Sequence, residues 1–181
     1  RPTLAILEAA LRGGVRLVVV EDHSLPYMAV RFLVPAGSVS DPEGKEGVAD
    51  MTARLLRYGT GDLDELAVAE RIDSLGASFE ASAAHDALLA AGDVPTLEKE
   101  TVDAFLDLFL SLVLRPRRDA QGLEKERAIA VGELESLLDD NAALASHALR
   151  GWTLPGHPFG RSQGGTMESL AAITPADVRD F

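Results

Sequence analysis

The change of hydrophobic period along the chain constrains the fold more than any other feature: the first third reads as strands, and most of the remainder as helices. Ala5 to Leu11 and Val15 to Glu21 are apolar runs flanking Arg12-Gly13-Gly14, a tight-turn signal. A third run, Tyr27 to Val34, carries Met28, Val30, Phe32 and Val34 on one face. Its other face holds Tyr27, Ala29, Arg31 and Leu33, which predicts a strand covered on both sides. Pro35-Ala36-Gly37 closes it, and Asp41-Pro42-Glu43-Gly44 reads as a loop.

From Gly47 the period becomes helical. Gly47 to Tyr58 gathers Val48, Met51, Thr52, Leu55 and Leu56 on one face and ends at Gly59-Thr60-Gly61. A second helix starts at Asp62 or Asp64 and runs through Leu75 to a stop at Gly76. Ala77 to Ala83 and Ala87 to Gly92 alternate weakly around His85-Asp86, as another hairpin. Thr96 to Leu114 predicts an amphipathic helix with Val102, Phe105, Leu106, Phe109 and Val113 inside, halting before Pro116. Asp119 to Leu138 is another long helix, and Ala142 to Leu149 continues it past a kink, with Asp139-Asp140-Asn141 as turn or cap. After the Gly/Pro-rich loop Pro155 to Gly165 come a short helix at Met167 to Leu170 and one that begins after Thr174-Pro175. Elements segregated in this way predict an α+β class. We expect a mainly antiparallel sheet of about five to six strands, packed on one side by several helices.

Composition narrows the function classes. The 181 residues fit one domain, with 46% hydrophobic residues to fill a core. A net charge of -12, from 29 acidic against 17 basic side chains, repels phosphate backbones and argues against nucleic acid as a partner. With no cysteine, disulfides and thiolate chemistry are excluded, and bacterial cytoplasm or periplasm suits the chain equally. No apolar run reaches the roughly 18 to 20 residues that span a bilayer. The opening Arg1-Pro2-Thr3 and the stop at Phe181 inside a helical pattern read as part of a longer protein.

The usual catalytic constellations are missing. There is no G-x-S-x-G elbow, and neither Gly13-Gly14 nor Gly164-Gly165 leads into a phosphate loop. His23, His85, His147 and His157 form no i,i+4 pair and read as hydrogen-bonded loop residues. Glu124, Glu126, Glu133 and Glu135, with Lys125 and Arg127, read as a mostly solvated helix face. Val18-Val19-Val20 and the strand from Tyr27 are the best partner-binding stretches, although an internal core strand is the favoured reading of both.

Three stretches, taken in order, carry a resemblance. The first is Gly14-Val15-Arg16-Leu17-Val18-Val19-Val20-Glu21-Asp22 followed by Pro35-Ala36-Gly37-Ser38 and Asp41-Pro42. The second is Lys45-Glu46-Gly47-Val48-Ala49-Asp50-Met51-Thr52-Ala53-Arg54, continuing to Gly59-Thr60. The third is Gly156-His157-Pro158-Phe159-Gly160, then Gly165-Thr166-Met167-Glu168-Ser169-Leu170 and Ile173-Thr174. Together they resemble the insulinase/pitrilysin family of zinc metallopeptidases over nearly the whole chain, as a single amino-terminal domain lacking its carboxyl-terminal half.

The resemblance fails at the chemical centre. Active members carry an inverted zinc motif, H-x-x-E-H, whose two histidines bind zinc while the glutamate acts as general base. The matching positions here are Asp50, Ala53 and Arg54, and the third-ligand position falls on Glu133. Arginine has no lone pair for a metal, and alanine cannot take a proton from water. The resemblance therefore implies no catalytic residue, no bound metal or other cofactor, and an inactive homologue. Arg54 is expected to pair with Asp50, with Glu133, or with both, replacing zinc as the tie between two helices; the bland alternative is an i,i+4 surface pair.

The role so implied is a partner subunit or domain in a two-half peptidase chamber. It would dimerise with an active zinc-bearing homologue or close on its own carboxyl-terminal half, and could contact peptide substrate. Two alternatives remain: a structural or assembly subunit of a larger complex, and a weak residual zinc peptidase with metal held by Asp50 and Glu133.

Overall fold

The computed structural model describes residues 5–118 and 120–181. The opening Arg1-Pro2-Thr3 and the expected helix start at Asp119 lie outside them. Strands β1 (Ala5–Ala10) and β2 (Arg16–Glu21) form an antiparallel hairpin, with Ala5 opposite Glu21 and Ala10 opposite Arg16. Strands β3 (Tyr27–Val34), β6 (Ser78–Ala83) and β7 (Leu88–Pro95) form an antiparallel sheet in the order β3-β7-β6. A third ladder joins β4 (Gly59–Thr60) to β5 (Leu63–Asp64), where the sequence reading has one helix end and the next begin.

The α+β class and the antiparallel pairing hold. Among the described residues the five to six strands of the expected sheet are instead divided among separate ladders of two, three and two strands. Local turns explain the division: Gly13 and Gly14 let β2 fold straight back on β1, and Gly61 returns β5 to β4. Coverage differs too. Along β3 only Met28, Val30, Phe32 and Val34 are half-buried, while the opposite face is open. Val18, Val19 and Val20 are exposed and form no internal core strand.

Among the described residues seven α-helices carry most of the rest: α1 (Val48–Leu55), α2 (Glu65–Ser74), α3 (Lys99–Leu114), α4 (Ala120–Leu138), α5 (Asn141–Thr153), α6 (Met167–Ala172) and α7 (Pro175–Asp180). Asp64 caps α2 by accepting from the Ala67 N–H at 2.9 Å. Asp140 accepts from the N–H groups of Ala142 and Ala143, so α5 starts afresh instead of continuing α4 past a kink. In α3 the fully buried residues are Phe105, Leu108, Phe109 and Leu112; Val102, Leu106 and Val113 are only partly covered. The reason is a second neighbour, because Leu108 and Leu112 pack on Val68 of α2 while Phe105 and Phe109 face the sheet. Gly92 permits that approach: a Cβ there would stand 2.7 Å from Phe105 Cζ and 2.8 Å from the Ser78 carbonyl oxygen. Among the described residues no helix is long and apolar enough to cross a membrane.

Candidate functional site

Helix α1 is wedged between two layers. Ala49, Ala53 and Leu56 pack on the sheet with Ala83, Leu88, Ala90, Phe105 and Phe109. Val48, Met51 and Leu55 pack on Leu123 and Ala130 of α4, Leu170 of α6 and Val178 of α7. With both flanks apolar, the charged residues share the stripe that remains: Asp50 and Arg54 on α1 and Arg57 in the 3-10 turn that follows it, at i, i+4 and i+7.

The start of α1 is fixed by groups distant in sequence. Gly47 takes φ +99°, a left-handed conformation that favours glycine. The buried Asp41 carboxylate accepts the N–H groups of Gly47 and Ala49 at 2.7 and 3.0 Å. Arg161 donates to the Asp41 carbonyl oxygen, and Ser169 Oγ donates to that of Glu46 at 2.7 Å. The three stretches that carried the resemblance thus meet at the amino end of one helix. Burial outweighs the two N–H bonds and pushes the Asp41 carboxyl up to about 6.

At the centre of the polar stripe, Arg54 reaches two helices. Its Nε donates to Asp50 Oδ2 at 2.7 Å, one turn earlier on α1. Its Nη1 and Nη2 donate to Glu133 Oε1 and Oε2 on α4, at 3.0 and 2.7 Å. Ala53, beside it, is buried against the sheet. The hydrogen bonds to Glu133, then the Asp50 charge, hold the Arg54 guanidinium above its ordinary range despite burial. Burial raises the Asp50 carboxyl, and Arg54 only partly offsets that.

Glu126 was read from the sequence as part of a mostly solvated face, and the structure corrects this. It is 1% exposed and lies 3.5 Å from Arg54 Nη1. It accepts from Arg57 Nη2 and from the Tyr58 hydroxyl, each at 2.9 Å. The signal was present: Glu126 is two turns before Glu133 and between the buried Leu123 and Ala130, on the apolar stripe of α4. Ala53, Arg54, Arg57 and Glu126 border a cavity of about 340 Å³ whose far wall includes Phe79 and Ala81 of β6.

The histidines stand elsewhere. His85 stacks on Phe159 and contacts Arg150, His157 accepts the Phe159 N–H, and His23 pairs with Glu21. His147 lies on α5, not in a loop.

Residues 16–166 match the family model described as "Insulinase (Peptidase family M16)". The chain belongs to the insulinase family. An uncharacterized zinc protease of Mycobacterium leprae is 26% identical over 176 residues, covering 97% of this chain and 39% of the relative. Subunit 1 of the mitochondrial cytochrome b-c1 complex of Caenorhabditis elegans is 25% identical over 174 residues, covering 94% of this chain and 36% of the relative. A solved peptidase M16 inactive domain from Pseudomonas fluorescens superposes with a TM-score of 0.93 at 26% identity, over 98% of this chain and 42% of that one. The chain thus spans about two fifths of the length of these three proteins.

The insulinase family is zinc-dependent, and the residues at this interface do not fit such an ion. The guanidinium is permanently protonated and fills the space between the Asp50 and Glu133 carboxylates. Zinc prefers imidazole, thiolate or carboxylate donors in a tetrahedron, and no imidazole faces this point. Among the described residues no three His, Cys, Asp or Glu side chains are arranged to hold a metal ion.

Proposed function

We propose that this chain is the amino-terminal half of a non-catalytic insulinase homologue that serves as one wall of a two-half peptidase chamber. One observation carries the reading: Arg54 is bonded to Asp50 and Glu133 and lies against Glu126. By resemblance, Asp50 and Arg54 take the places of the zinc-binding histidines, Ala53 that of the general base, and Glu133 that of the third ligand. A fixed positive charge then does the structural part of the metal's work, joining α1 to α4, and leaves no group to activate water. The partner is an active zinc-bearing homologue or the protein's own carboxyl-terminal half. Peptide would enter the cavity beside β6, whose outer edge pairs with no other strand among the described residues. The bacterial relative and the bacterial solved domain support a bacterial protein, of cytoplasm or periplasm alike.

The test is metal analysis and peptide cleavage on the full-length protein purified without its partner. We expect no bound zinc and no turnover. One equivalent of zinc, with cleavage that chelation abolishes, overturns the reading.

The likeness to the Caenorhabditis elegans complex subunit favours a second reading, a structural or assembly subunit. Co-purification with a membrane complex instead of a peptidase would select it.

A further inference from the structure

The β1–β2 hairpin is apolar where it should not be. Every residue from Ala5 to Glu21 is exposed, including Ile6 at 62%, Leu7 at 61%, Val18 at 46% and Val20 at 51%. Cross-strand partners share a face, so Ile6 with Val20 and Glu8 with Val18 line one side. Leu7 with Val19 and Ala9 with Leu17 line the other. A ribbon like this, mostly apolar on both faces apart from the Glu8–Arg16 pair on one of them, and unpaired at both edges among the described residues, is marginal in water by itself.

The geometry selects what covers it. A flat apolar patch would dry only one face, as would a second hairpin stacked upon it. Addition to the edge of a sheet whose faces are covered satisfies one backbone edge and both side-chain faces together. The three-stranded sheet of this chain does not offer that environment, because the face of β3 bearing Tyr27, Ala29, Arg31 and Leu33 is itself open. The Mycobacterium leprae relative and the solved inactive domain are each, as one polypeptide, about two and a half times as long as the part this chain matches.

We propose that the β1–β2 hairpin is donated to the carboxyl-terminal half of the same protein, where it extends the edge of that half's sheet. The inference rests on the two-half reading above but not on the loss of catalysis.

Hydrogen exchange followed by mass spectrometry on the full-length protein tests it. Amides of Leu17 to Val20 are expected to exchange at least about a hundredfold more slowly than those of a free peptide. Val18→Lys and Val19→Lys, on opposite faces, are each expected to abolish most of that protection. Neither removes a buried contact of the α1–α4 core, so core amides should keep their rates. Exchange at free-peptide rates in the full-length protein overturns the proposal. So does protection that grows with protein concentration, which marks a second copy, or protection that requires phosphatidylcholine vesicles, which marks a lipid surface. Chelator-sensitive peptide cleavage would refute the non-catalytic reading and leave these exchange rates untouched, so the two failures are distinguishable.

Discussion

The Arg54 guanidinium forks onto the Glu133 carboxylate across the α1–α4 interface, with one bond of 2.7 Å and one of 3.0 Å. A bidentate pair fixes the angle between two helices as well as their distance, which a lysine ammonium cannot do.

Arg54→Ala leaves Asp50 and Glu133 without their cation and Glu126 with Arg57 alone. Because Glu133 is half-exposed, the expected loss lies below the range for a fully buried pair, at about 2–3 kcal/mol. Arg54→Lys should recover less than half of it. Urea unfolding of both variants measures the difference, and a midpoint unchanged in Arg54→Ala would mean that the fork contributes nothing.

Glu126 gathers Arg57 and the Tyr58 hydroxyl in a buried place. Glu126→Gln should cost about 1–3 kcal/mol, and Tyr58→Phe about 1 kcal/mol, by the usual cost of a lost buried hydrogen bond. Burial first, and Glu126 second, raise the Tyr58 phenol above its ordinary value. An ultraviolet titration should therefore show Tyr58 ionising at lower pH in Glu126→Gln than in the parent.

Asp41 gives a pH dependence of defined sign. Its folded-state value of about 6 lies above the ordinary 3.8, so the folded protein holds this proton more tightly. The contribution is fully present below the ordinary value and is lost as pH rises through about 6. Thermal unfolding of the parent minus that of Asp41→Asn should shift in the parent's favour between pH 7 and pH 5. A difference that is flat over this window would contradict the assignment.

Gly92→Ala forces a methyl group toward Phe105 and the β6 backbone. Overpacking of this kind costs about 1–3 kcal/mol, and a backbone obstacle places the change at the upper end. Calorimetry should show a lowered Tm, with the Arg54–Glu133 fork intact.

The sequence determined the elements and their kind. A two-residue period marks β3, a helical period marks α1 and α3, and Asp64 and Asp140 stand as caps because a short side-chain oxygen satisfies free N–H groups within the same few residues. It also determined that Asp50 and Arg54 share a face of α1, since four residues make about one helical turn. These are local matters, decided by neighbours along the chain.

Only the tertiary structure decided that Glu133 and Glu126 come to Arg54 from 79 and 72 residues away, and that Glu126 is buried. It alone decided that Leu108 and Leu112 are covered by α2, and that the hairpin at Leu17 to Val20 stands exposed. An apolar or charged residue has a preference for its surroundings but does not specify them. The packing of distant helices supplies those surroundings, and no period along one segment encodes it.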